Sequence, residues 1–175
     1  VYQHWNLTGN PFPSPVNWDH VTWNKTNVAN SIYLHSSSSS QPCSYVNGIS
    51  NPDGCFEGIV KPMSAFWIYA EHEGNISVQP TAQTTEKTAK QSIQKGVRLT
   101  VSDNEELYES IIHFNNNGTP GFDKEWDAHH LTVPKPNQNL SPGLYSISED
   151  SLKLAISTVP DNSEFRVYMG FTVLN

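Results

Sequence analysis

A chain of 175 residues is long enough to bury one sizeable core without metals or extra cross-links. Only 15% of it is charged, well under the usual quarter, a profile closer to an extracellular β-domain than to a cytosolic enzyme. The net charge of -7 and a scattered set of Lys and Arg argue against nucleic acid, which needs a concentrated basic surface.

The N-terminal stretch "HWNLTGNPFPSPVNWD" packs two tryptophans, three prolines and an Asn-Pro turn into His4–Asp19. Val1 stands in place of a Met, which predicts one module, 1–175, taken from a longer secreted chain with neighbouring domains. Trp5 and Leu7 are expected to enter the core from a strand, Asn10 to Pro15 to turn a corner, and Trp18 to follow in a polar loop. "SIYLHS" (31–36) reads as a strand and "HSSSSSQP" after it as a flexible polar stretch. Cys43 and Cys55 bound a loop rich in Gly, Asn and Pro. With no C-x-x-C and no His at ligand spacing, a local disulfide fits better than a redox or metal pair. Such a bridge contributes on the order of 3 kcal/mol and implies an oxidising compartment.

"AFWIYAE" (65–71), "NISVQ" (75–79), "GVRLTV" (96–101) and "ESIIHFN" (109–115) read as further strands, rich in β-branched and aromatic residues. In "VRLTV", alternation puts Val97, Leu99 and Val101 on a buried face and Arg98 and Thr100 on the other, as in a half-buried antiparallel strand. "TTEKTAKQSIQK" (84–95) has Ile93 as its only large apolar residue and reads as an exposed loop or ragged strand. "GLYSIS" (143–148), "LKLAIS" (152–157) and "EFRVYMGFTVL" (164–174) complete the set. Short strands, no sustained helical stripe and regular turn signals predict an all-β fold, an antiparallel, jelly-roll-like β-sandwich. No run of eighteen apolar residues offers a membrane-inserting segment.

Chemistry concentrates in "GTPGFDKEWDAHH". Asp123, Glu125 and Asp127, spaced two apart near Gly121, are the candidate ligands of a structural Ca²⁺; the competing reading is a turn whose Asp side chains cap backbone N–H groups. The spacing lacks the Gly and Glu of an EF-hand loop, and adjacent His129 and His130 point to opposite faces of a strand, which disfavours shared zinc. A glycosidase needs two acids held about 5–9 Å apart across a sugar, and nothing singles out Glu57, Glu71 or Glu73 for that. There is no G-x-S-x-G elbow and no phosphate or dinucleotide loop, so no catalytic residue and no organic cofactor are expected.

Five Trp and seven Tyr exceed the needs of a small core. Trp5 and Trp67 lie among apolar strand neighbours and are expected inside. Trp18, Trp23 and Trp126 lie in polar loops and are the candidate ligand-binding rings, since a π-face suits the C–H face of a sugar.

The opening block "WNLTGNPFPSPVNWD" resembles the W-N-L-x-G-N-P-[YF]-P-S signature of a β-sandwich accessory module in secreted and surface-anchored Bacteroidota proteins. "GIVKPMSAFWIYAEHEGNISV" is similar to that family's second block, and "GFDKEWDAHHL" with "GLYSIS" and "LKLAIS" to its third. The three ordered blocks span Trp5 to about Phe171. The departures are Met63 or Ser64 for a usual Gln, His130 for a usual Lys, and "TTEKTAKQ" for an Arg-rich segment. The resemblance implies a secreted or outer-surface location, often upstream of a type IX secretion sorting domain. Together with the aromatics it leads to the expectation of a non-catalytic binding or adhesion module for polysaccharide or surface glycan. The alternative is a structural spacer that positions a neighbouring catalytic or sorting domain.

Overall fold

The computed structural model describes residues 1–35, 41–85, 95–102, 106–132, 142–161, 164 and 166–172. In chain order the strands are β1 (His4–Gly9), β2 (Val16–Asn17), β3 (Asn24–Val28), β4 (Ile32–Leu34), β5 (Cys43–Val46), β6 (Ile49–Asn51) and β7 (Ile59–Val60). They continue as β8 (Ala65–Ser77), β9 (Gly96–Ser102), β10 (Leu107–Phe114), β11 (Ala128–His129), β12 (Gly143–Ile147), β13 (Lys153–Val159) and β14 (Tyr168–Thr172). One 3₁₀ turn, Pro80–Ala82, is the only helical element among the described residues. The fold is an all-β sandwich.

One sheet has the order β1-β8-β4-β5-β6, with β3 pairing a further length of β8; the other runs β14-β12-β13-β10-β9, with β11 on β13. A short ribbon, β2 with β7, stands apart. Every pairing is antiparallel except β10 with β13, which is parallel.

Period-two alternation along β8 gives the first sheet two working faces. Phe66, Ile68 and Ala70 point one way, into a cluster with Trp18, Val28, Ile32, Tyr45 and Val60 that the β2–β7 ribbon and its loops close. On the opposite face Tyr33, Val46 and Ile49 meet Ile111, Ala128 and Ile156 of the second sheet, with Trp5 packed alongside. That second cluster is the sandwich interior.

A polar seam crosses from sheet to sheet. Asn51, fully buried, donates to the carbonyls of Glu109 (3.0 Å) and Ala155 (2.9 Å), so one side chain satisfies two backbone acceptors of the other sheet. Arg98 pairs with Glu109, whose carboxylate also accepts from the N–H of Asp53 at 3.1 Å. Cys43 and Cys55 are disulfide-bonded, with Cα atoms 5.8 Å apart, as the loop composition predicts.

Four sequence expectations need correction. The breaks expected around "NISVQ" do not occur, because β8 runs unbroken through Gly74. That glycine serves a close approach: a Cβ there would lie 2.0 Å from the Thr26 carbonyl oxygen of β3. In "VRLTV" the expected alternation of exposure fails, with Arg98 and Leu99 half-buried and Thr100 exposed. Arg98 turns inward to Glu109, while Val97 and Val101 are exposed on β9, an edge strand with a partner on one side only. The other two concern Leu7 with Trp67, which are exposed, and Trp18, which is buried. Residues 36–40 of the serine run and 86–94 of "TTEKTAKQSIQK" lie outside the described residues.

Candidate functional site

Pairing of β1 with β8 places Trp5 opposite Tyr69, Leu7 opposite Trp67 and Gly9 opposite Ala65, all on the sandwich-facing side of the sheet. At the Trp5 row this side is well covered. Tyr33, Tyr69 and His129 surround Trp5 with ring centroids at 4.9, 5.3 and 5.9 Å, and Phe122 stacks on His129 at 4.2 Å. Two residues further along, the cover stops. Leu7 is 59% exposed and Trp67 38%, and the next pair, Gly9 and Ala65, is exposed and too small to overhang them. The result is an apolar shelf, a Trp ring beside a Leu side chain and bordered by two small residues.

This corrects the expectation that Leu7 and Trp67 pack in the core. Alternation identifies the face correctly, since both residues share it with Trp5 and Tyr33. It carries no information on how far along that face the second sheet extends.

Of the three loop tryptophans, Trp18 sits differently from its sequence reading. Trp18 is fully buried, so it cannot be a ligand platform. Its Nε1 donates to the Asn30 carbonyl at 2.7 Å, and its ring lies 4.8 Å from Trp23 and 5.4 Å from Phe66. The physical reason is the ribbon. Two-residue strands have little apolar surface of their own, and a large ring from the loop after β2 completes the cover over Phe66 and Ile68. Trp23 is half-buried against the same cluster and donates from Nε1 to the Asn17 carbonyl at 2.9 Å. Trp126 is half-buried in the acidic turn, its N–H bonded to the Asp123 carbonyl at 3.1 Å.

In that turn the carboxylates engage N–H groups. Asp123 accepts from the backbone N–H of Glu125 at 2.9 Å, and Asp127 accepts from those of Asp123 at 2.8 Å and Thr158 at 2.6 Å. Glu125 points elsewhere, accepting from Asn30 Nδ2 at 2.7 Å. Among the described residues no group of three His, Cys, Asp or Glu side chains is placed to hold a metal ion. The bonds present are those of the capping turn. Asp127 is fully buried, and burial pushes its pKa up to about 7 against the pull of its two N–H donors. With Asp123 and Asp127 engaged by backbone N–H groups and Glu125 by Asn30, EDTA should leave the melting temperature of the chain unchanged. A drop in melting temperature that added Ca²⁺ reverses would restore the metal reading of Asp123, Glu125 and Asp127.

His129 and His130 diverge as adjacent strand residues do. His129 enters the aromatic cluster with a buried Nε2 that has no hydrogen-bond partner, while His130 lies against Gly143 and 5.2 Å from the Tyr145 ring. Burial lowers the pKa of each to about 4, so both are neutral at pH 7.

Comparison with protein-family models, with curated proteins and with solved structures finds no match to this chain.

Proposed function

We propose that this chain is a non-catalytic carbohydrate-binding module of a secreted or cell-surface protein, and that it binds through the Leu7–Trp67 shelf. The observation that supports the reading is the partial exposure of Trp67 on a regular strand, beside exposed Leu7. A tryptophan held by a sheet is pre-positioned, so stacking a sugar ring on it costs little ordering entropy. Its π-face matches the C–H face of a pyranose. The Cys43–Cys55 disulfide and the ordered signature blocks support an extracytoplasmic location, in keeping with a polysaccharide or surface glycan as ligand.

If the shelf binds sugar, Trp67→Ala should lose on the order of 1–3 kcal/mol of affinity by apolar area alone. Leu7→Ser should weaken binding less and shift stability within about 0.5 kcal/mol, because Leu7 is mostly solvent-exposed already. Titration calorimetry of the parent and both variants reads this directly. Equal affinity across all three would remove the shelf from the binding site.

The spacer reading keeps one observation in its favour. Trp18 is spent on the core and Asn51 on the inter-sheet seam, as in a domain built to be rigid. A module with no glycan ligand would fall to that reading.

A further inference from the structure

On the side of the first sheet away from the shelf, an amine, a carboxamide and a carboxylate meet. Lys25 of β3 lays its Nζ 4.1 Å from the centroid of the Trp18 ring and donates to Asn30 Oδ1 at 3.2 Å. Asn30 Nδ2 in turn donates to Glu125 Oε2 at 2.7 Å. The Asn30 backbone is fixed at both ends: its N–H donates to the Lys124 carbonyl and its own carbonyl accepts from Trp18 Nε1, each at 2.7 Å. The amine is thus hydrogen-bonded to the carboxamide oxygen of Asn30, the atom next to the carbonyl carbon, in a setting where the Asn30 backbone is already held.

We propose that Lys25 and Asn30 join through an intramolecular isopeptide bond, with Glu125 carrying the proton. The neutral Lys25 amine attacks Asn30 Cγ, forming the N–C bond. The attacking nitrogen gives up a proton and Nδ2, which donates to Glu125 Oε2, gains one, with the Glu125 carboxylate as the carrier. The Cγ–Nδ2 bond then breaks and ammonia leaves. One amine and one carboxamide become one secondary amide and one ammonia, so no oxidant or other reactant is required.

One feature favours the reacting state. Burial lowers the Lys25 pKa to about 8, against the opposing pull of Asp19 and Glu125. About a tenth of the amine is therefore neutral at pH 7, whereas an ordinary lysine is almost wholly protonated. Asp19, the other carboxyl near the amine, accepts a hydrogen bond from the Tyr45 hydroxyl, and burial raises its pKa. The bond would tie β3 to the segment that leads into β4, beside the turn that carries Glu125.

Mass spectrometry of the intact, folded, disulfide-bonded chain tests this. The expected mass is lower by one ammonia than that of the sequence with its disulfide. Trypsin should then fail to cut after Lys25, because an acylated lysine is not a substrate, and should release no free 1–25 peptide. Lys25→Arg and Asn30→Ala should each restore the full mass. Glu125→Gln should slow bond formation in freshly refolded protein. A parent chain at full mass with a normal 1–25 peptide overturns the proposal. So does a mass deficit that survives in Lys25→Arg, since that ammonia would come from elsewhere. The first readout uses the unmodified sequence and does not depend on any variant folding.

Discussion

Trp18→Ala is expected to cost about 3–5 kcal/mol of stability, the range for truncating a fully buried large aromatic. Trp18 has no exposed surface, packs on Trp23 and Phe66, and closes the face of β8 that carries Phe66 and Ile68. Truncation also strands the Asn30 carbonyl, the acceptor of the indole N–H. It further removes the ring beneath Lys25. Urea denaturation of the variant should show a large fall in midpoint at a similar slope. A loss under about 1 kcal/mol would mean that this ring is not part of the core and would return it to the ligand-binding candidates.

Acid should destabilise the protein, and His129 should account for much of the effect. An unfolded histidine binds a proton near pH 6.5, whereas folded His129 and His130 resist one until about pH 4. Between those values the unfolded chain holds more protons at both sites, so their contribution to stability is lost as pH falls. Asp127 acts the other way. Its folded pKa of about 7 lies above the unfolded 3.8, so in the same window the folded chain keeps a proton that the unfolded chain has released. His113, lowered by burial, joins the histidines, and Asp19, raised by burial, joins Asp127; these two offset each other in direction.

Two histidine protons against one aspartate proton leave a net of about one. That net is small at pH 6.5, where the unfolded histidines are half protonated, and approaches one near pH 5, so stability should fall by about 1.3 kcal/mol in all between pH 6.5 and 5. His129→Phe keeps a flat ring among Trp5, Tyr69 and Phe122 and removes both the titration and the unpartnered Nε2. Its stability should be nearly flat over that range and higher than the parent's at pH 5. Urea melts of both proteins at pH 6.5 and 5 decide the matter. Parallel losses in the two would show that His129 is not protonated on unfolding.

Local chemistry was legible in the sequence where it depends on neighbours along the chain. The disulfide followed from a short turn-rich loop, and the strands at 143–148 and 152–157 from alternation and Gly or Pro punctuation. The capping role of Asp123 and Asp127 was one of two open readings, and the hydrogen bonds follow it. Features set by distant packing were not legible. Trp18 looks like a loop residue because Asn17 and Asp19 flank it, yet the ribbon needs its ring to cover Phe66. Leu7 and Trp67 look like core because the second sheet's end leaves no mark on their own strands. Gly74 reads as punctuation, but its cause is the Thr26 carbonyl, forty-eight residues away in sequence. Lys25 and Asn30 are five residues apart, but Glu125 comes from ninety-five residues beyond Asn30, so the meeting of the three has no local signature.

The claim that the Leu7–Trp67 shelf makes this chain a glycan-binding module is tested most directly by a glycan-array screen of the parent chain alongside Trp67→Ala. The account predicts a defined set of bound glycans for the parent and loss of that set in Trp67→Ala, with the variant still folded by its thermal melt. An array with no bound glycan, or the same set bound equally by Trp67→Ala, would contradict it.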